Sequence, residues 1–372
     1  MRLVSGIQDH CDVRGLLDHD EYSGEFSRLL CVAQNEGVSF SECVAAAKLI
    51  RSSNGPGWRQ AWEELARSHV QRAEEARRTG NEPEAQKSWL HAANYFMAAA
   101  IESCPEGAEP ALGALARSCL HNYLAHLTPQ GEAVAIPWLE PRSLEGFYLP
   151  VGTYSAETGP VVVCIAETRR TKEEILSLVL RSARKRGMTL LCVDLPDEPP
   201  SSRAGPETGI PAILDYLIDG RGIDAKRIAV ISDGSPSSLV TRGIALDGRI
   251  AAAVCDGGLW DLWVARQTEA CGAALGMVQG CARRPAVSCP MLVPLLASEG
   301  IEPGHARQLL TEHHPGNRDI LLKVFGETSS GPWTLNGYDP ILVADFVFDW
   351  VGQQLKAATG DADCIRRLES RL

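Results

Sequence analysis

The chain has 372 residues, 45% hydrophobic and 22% charged, with a formal net charge of −11 at pH 7. That length suits one large domain with an appendage, or two domains, with a substantial core. An acidic balance without a long basic run excludes no fold, but gives no surface for nucleic acid or an anionic membrane and reads as solubility.

Twelve cysteines form no C-x-x-C pair, and Cys and His never cluster at ligand spacing, so no metal or other cofactor is expected. No stretch approaches the ~18 apolar residues of a membrane span. The opening MRLVSGIQDHCDV lacks the basic-then-apolar order of a signal peptide. These features set the expectation of a cytoplasmic protein with reduced thiols.

Residues 1–130 read as helical. Candidate helices run over Tyr22–Val32, Ser41–Ile50, Trp58–Arg78, Glu82–Ser103 and Pro110–Leu127, punctuated by Gly55-Pro56-Gly57, Thr79-Gly80-Asn81-Glu82-Pro83 and Pro105-Glu106-Gly107. The third and fourth form an αα-hairpin pattern. Trp58, Trp62, Leu65, Val70 and Ala73 are expected to face Trp89, Ala92, Ala93, Phe96 and Ala100, the alanines allowing close approach. This aromatic stripe reads as core, with a rim over a ligand pocket as the alternative.

From residue 131 strands and helices alternate, up to residue 357. Ala133–Trp138 and Leu144–Leu149 read as an antiparallel pair at a sheet edge. Pro160–Ala166, Thr189–Leu195, Arg227–Ile231, Ile250–Cys255, Pro290–Leu296 and Asp319–Phe325 read as buried strands with helices between them. Residues 259–286 are a helical insertion expected over the cleft, and 358–372 a polar tail. The βα alternation demands a mostly parallel sheet covered on both faces.

The stretch after Arg227–Ile231 organises the functional reading. Ser232-Asp233-Gly234-Ser235-Pro236 is a tight turn of small residues between a strand and a helix. A G-x-S-x-G elbow has this architecture, with its serine at the centre. Here the central position is Gly234.

The order of elements resembles a branch of the α/β-hydrolase superfamily that includes 2,6-dihydroxypseudooxynicotine hydrolase and the fungal heptaketide hydrolases. The marks are the W-x3-W of Trp58 and Trp62 with Asn94-Tyr95-Phe96, Thr171-Lys172-Glu173-Glu174, Cys255-Asp256-Gly257-Gly258 and Phe348-Asp349-Trp350. The resemblance covers roughly residues 40–356 and implies an α/β-hydrolase fold with a helical N-terminal cap.

It also assigns places to a Ser–Asp–His triad and an oxyanion loop. The nucleophile falls on Gly234. The acid falls in Ala297-Ser298-Glu299-Gly300, with Glu299 where Asp is usual. The histidine falls in a segment without one, where Trp333 is the nearest match. The oxyanion loop reads Ala166-Glu167-Thr168-Arg169-Arg170. A carboxylate at Glu167 opposes a developing oxyanion if it points inward.

Ser235 is the alternative nucleophile. Pro236 after it has no N–H to donate to an oxyanion, and no base is evident. His313 and His314 sit in a turn expected at the opposite end of the sheet, and His121 and His126 belong to the helical region. Cys255 and Cys164 read as small buried hydrophobes.

The expected chemistry is therefore non-hydrolytic acid–base work, a cyclase, dehydratase, isomerase or C–C lyase reaction, on a carbonyl-containing small molecule, and the resemblance alone implies that this is an acyl- or polyketide-like molecule of secondary metabolism. Asp233 or Glu299 handles protons, with Ser235 as a further catalytic candidate. The backbone of Gly234 and Ser235 polarises oxygen. Trp333, Asp256 and Glu167 border the pocket. A non-catalytic binding or scaffold protein and a serine hydrolase using Ser235 are the competing readings. The partners expected are a small-molecule substrate and at most a second copy of the chain.

Overall fold

The computed structural model describes residues 22–52, 55–101, 109–139, 141–151, 159–166, 171–196, 205–232, 239–270, 287, 289–296, 301–315, 319–325 and 340–360. The chain divides into two compact units. One holds the chain up to Glu132 with Leu176–Arg181, and the other begins at Ala133.

The first unit is helical: α1 (Ser23–Gln34), α2 (Phe40–Ile50), α3 (Trp58–Arg78), α4 (Glu82–Ala100) and α5 (Glu109–Ala125). Each boundary has a local cause. The Ser39 hydroxyl caps α2 by accepting the Glu42 N–H, and the Asn81 side chain caps α4 by accepting the Glu84 N–H. Asn81 is followed by Pro83 in the first turn, where a missing N–H costs nothing.

The buried stripe of α3 runs through Trp58, Trp62, Ala66, His69, Ala73 and Ala76. This corrects the expected one, since Leu65 and Val70 are only half-buried. A histidine occupies a core position that a hydrophobicity pattern passes over. Helix α4 is buried almost all round, including Ser88, His91, Asn94 and Tyr95.

Most of its polar groups are satisfied in place, the Nδ1 of His91 being without a partner. Asn94 donates to the carbonyls of Gly37 and Leu90. The Trp58 indole donates to the Ala98 carbonyl at 2.8 Å, and Trp62 stacks on Tyr95 at 5.6 Å. Such bonds let a helix this polar sit inside without a desolvation penalty.

The second unit carries an eight-stranded sheet in the order β1-β2-β4-β3-β5-β6-β7-β8. The strands are β1 (Glu132–Pro137), β2 (Ser143–Leu149), β3 (Val161–Ala166), β4 (Thr189–Asp194), β5 (Ile228–Ser232), β6 (Ala252–Val254), β7 (Met291–Leu296) and β8 (Ile320–Phe325). Strand β2 runs antiparallel to β4, and the pairs from β4–β3 to β7–β8 are parallel.

Between them lie α6 (Lys172–Lys185), α7 (Gly209–Ile218), α8 (Leu239–Leu246), α9 (Leu259–Ala270) and α10 (Pro303–His313), and α11 (Pro340–Thr359) follows β8. The α/β reading and the parallel sheet stand as expected. Only Leu259–Ala270 of the insertion lies within the described residues.

Strand β3 is buried at every position, as its VVVCIA sequence demands for a strand covered on both faces. Helix α6 starts with a capping box. Thr171 accepts the Glu174 N–H while the Glu174 carboxylate accepts the Thr171 N–H. Helix α11 is tied to α6 by Arg186, which donates to Asp345 and Asp349 at 2.7 Å each.

Helices α7 and α8 approach closely at Gly243, where a methyl would fall 2.3 Å from Ile210 Cγ1 and 2.7 Å from the Glu207 carbonyl oxygen. Gly243→Ala is expected to lower stability by about 1–3 kcal/mol through overpacking, measured as a reduced urea midpoint at unchanged m-value.

Burial, with the neighbouring His69 and Lys87 adding to it, holds the His91 imidazole down at about 4, against an ordinary 6.5. Glu42 and the Glu36 carbonyl pull the other way and do not prevail. The unfolded ring takes its proton as pH falls through 6.5, and the folded ring refuses it until about 4. The stabilisation is complete above pH 6.5 and fades toward pH 4. Urea midpoints across that window should fall more steeply for the native chain than for His91→Gln.

Candidate functional site

The sheet order places a reversal at β3. The chain passes from β3 to β4 on one side, then returns to β5 on the other. Ligands of open α/β sheets bind at such a switch point, at the carboxyl ends of the strands. The register pairs Ile165 with Ser232, so β3 and β5 end side by side. Glu167 follows the end of β3 directly, and Asp233, Gly234 and Ser235 follow the end of β5. Glu299 follows the end of β7 by three residues, and Trp333 follows β8 by eight. All six lie outside the described residues.

Asp256, after β6, is described. It is 7% exposed. Its carboxylate accepts the Thr241 hydroxyl at 2.7 Å, the Gly258 N–H at 2.9 Å and the Trp260 N–H at 3.4 Å. These bonds shape the β6–α9 turn and hold the first residues of α8 and α9 together. A carboxylate beside the N-terminus of α9 also meets the favourable end of the helix dipole. Cys255 is buried, and burial pushes its thiol up to about 12, so it is a packing residue as the sequence suggests.

Sequence reasoning missed a second group at this edge. Asp194, the last residue of β4, accepts the Lys172 N–H at 2.6 Å and the Lys172 ammonium at 2.7 Å. Glu173 lies 3.3 Å from the same ammonium. The trio clamps the start of α6 to the end of β4, next to where the loop containing Glu167 begins and ends. Burial pushes the Asp194 carboxyl up despite the Lys172 charge. Burial works against the Lys172 charge too, but the two carboxylates outweigh it and hold its pKa above the ordinary lysine range. The signal was present in the Thr171–Glu174 run but not its partner, since Asp194 is an unremarked strand end.

The turn with His313 and His314 is placed differently from expectation. His314 is buried, and its Nε2 lies 2.8 Å from the Gly257 carbonyl oxygen. A short β6 and two glycines at φ +65° and +77° bend the chain back over Met291 and Val293 to meet that turn. The turn packs against the loop leaving β6 rather than at the far end of the sheet.

Within the helical unit, α3, α4 and α5 bound a cavity of about 380 Å³ lined by Arg67, Glu74, Arg77, Trp89, Phe96 and His126. The His126 ring lies against Trp89, centroids 4.6 Å apart and tilted by 46°. Among the described residues, the group able to hold a metal ion is Glu42, His69 and His91, with donor atoms within 4.8 Å of one another. Their spacing along the chain hides them, because each stands on a different helix. No helix of the described residues is long and apolar enough to cross a membrane.

Comparison with known proteins agrees with this geometry. No family model matches the chain. A protein named hydrolase LUC6, from Fusarium sp, is 29% identical over 255 residues, which are 64% of this chain and 61% of the relative. The α/β hydrolase xenA from Xenoacremonium sinensis is 25% identical over 64% of this chain and 60% of its own length. The chain thus matches about three fifths of these relatives.

The solved structure of 2,6-dihydroxy-pseudo-oxynicotine hydrolase matches with a TM-score of 0.64 and 18% identity, covering 88% of this chain and 96% of the other. AbyA5 matches with a TM-score of 0.50 and 15% identity, covering 85% and 95%. The likeness establishes the α/β-hydrolase fold anticipated from the motifs.

Thr241→Val removes a hydroxyl donor from a buried carboxylate. Stability is expected to drop by about 1–3 kcal/mol, read from urea unfolding. Thr241→Ser, which keeps the donor, should lose less than half as much.

Proposed function

We propose that this α/β-hydrolase-fold chain performs non-hydrolytic acid–base chemistry on a carbonyl-containing small molecule. The observation that carries the reading is Gly234. In sequence it falls between β5 and α8, at the position that an elbow gives to its nucleophile, and a glycine has no side chain to attack a carbonyl carbon.

The roles follow from chemistry. Asp233 or Glu299 removes a proton from carbon beside the carbonyl. The N–H groups of Gly234 and Ser235, before α8, polarise the oxygen as negative charge develops. The same carboxyl then returns the proton at a new position or to a leaving hydroxyl, as in isomerisation, dehydration and cyclisation. In C–C cleavage the carboxylate instead takes the proton of a β-hydroxyl, the C–C bond breaks to give a carbonyl and an enolate, and the proton is returned to the enolate carbon. Trp333 shapes the pocket, with Asp256 and Glu167 at its border, and an acyl- or polyketide-like substrate of secondary metabolism suits it. Asp194 is a further candidate for proton handling, since its carboxyl is held above the ordinary range.

A serine hydrolase using Ser235 is the second reading. The name of the Fusarium relative, a hydrolase, favours it. A binding protein without catalysis is the third.

The decisive measurement pairs two assays on the purified chain. A fluorophosphonate probe should leave Ser235 unlabelled. Deuterium exchange at the carbon between the carbonyls of a β-diketone should be accelerated, and Asp233→Asn or Glu299→Gln should cut that rate at least ~100-fold with ligand affinity kept. Labelling abolished by Ser235→Ala would replace this reading with the hydrolase. Binding without exchange would replace it with the binding protein.

A further inference from the structure

The helical unit contains two buried histidines that nothing in the proposed chemistry uses. His69 of α3 and His91 of α4 are each 2% exposed. Their rings lie 5.0 Å apart, centroid to centroid, tilted by 58°. Each ring has one nitrogen engaged and one without a partner.

The His91 Nε2 is 3.2 Å from the Glu36 carbonyl oxygen. A carbonyl only accepts, so that nitrogen carries the proton. The His69 Nε2 is 2.8 Å from Glu42 Oε2, which also accepts the Tyr95 hydroxyl at 2.9 Å. An oxygen that takes the Tyr95 hydroxyl proton is acting as an acceptor. His69 therefore donates through Nε2 as well.

With the Nε2 proton engaged in each ring, both Nδ1 atoms are buried without a hydrogen-bond partner. An imidazole whose N–H is fixed by a carboxylate or backbone carbonyl, with its other nitrogen bare, is the arrangement by which proteins orient histidine toward a metal.

We propose that His69 and His91 bind a zinc ion through Nδ1, with Glu42 as the anionic partner that orients His69 and balances the ion's charge. Glu42, His69 and His91 can each present a donor atom within 4.8 Å of the other two. Zinc–nitrogen bonds of about 2.0–2.1 Å require the rings to close inward by side-chain rotation.

Arg72 lies 3.8 Å from the other Glu42 oxygen and opposes the ion's charge, but it is itself 46% exposed. The ion would tie α3 to α4, with α2 joined through Glu42. It would stabilise the helical unit rather than take part in turnover.

The test uses the full chain. Zinc titrated against a chromophoric chelator should show one site per chain, and saturation should raise the melting temperature. Cobalt in its place should give imidazole-type visible bands without thiolate charge transfer. Glu42→Gln keeps both rings and should weaken zinc binding by roughly 10–100-fold. His69→Gln with His91→Gln should abolish the site, circular dichroism confirming the fold. If that double variant fails to fold, Glu42→Gln alone decides. A native chain that binds neither metal, cobalt bands of thiolate type, or unchanged affinity in Glu42→Gln would each overturn the proposal and leave a buried water between the rings.

Discussion

Everything at the candidate site depends on β3 being paired in parallel on both sides. Val161 to Ala166 have no water-facing position, and their backbone groups are satisfied by β4 on one side and β5 on the other. A parallel strand needs a crossover to reach each neighbour, and crossovers of one hand put helices on opposite faces when the direction of travel reverses. The reversal falls at β3, whose end lies beside that of β5, and in sequence Glu167 follows the first and Asp233 to Ser235 follow the second. The Lys172–Asp194 clamp ties the start of α6 to the end of β4.

The two units solve the same burial problem with different means. The sheet hides its backbone polar groups in ladders, so its strands can be almost wholly aliphatic. Helix α4 satisfies its backbone internally but carries Ser88, His91, Asn94 and Tyr95 inside. Each needs a specific acceptor or donor, and Gly37, Leu90, Ser39 and Glu42 supply most of them. A core held by such bonds is more selective about geometry than one held by contact area, because an unmet polar group costs more than a poorly filled corner. The unmet Nδ1 atoms of His69 and His91 stand out against that background.

The reading of the sheet came from local signals. Apolar runs such as VVVCIA and MLVPLL, bounded by turn residues and separated by amphipathic helices, leave a parallel sheet as the only common way to bury every strand face. The place of Gly234 after β5 rests on the sequence register of one strand and one helix alone, and it lies outside the described residues. The error in α3 also has a local cause. Leu65 and Val70 are hydrophobic and His69 is not, so a pattern of hydrophobicity selects the wrong side of part of the helix, while the packing of Trp62, Ala66, His69 and Ala73 follows the geometric repeat.

Sequence alone determined the class of fold and the βα order, because each is set by neighbours within a few turns of chain. Tertiary structure alone decided which distant groups meet. Asp194 finds Lys172, Asp256 finds Thr241, His314 finds Gly257, and Glu42 gathers His69 and Tyr95 from separate helices. Those pairings depend on how elements stack, and side chains brought together by stacking leave no spacing rule in the chain to announce them.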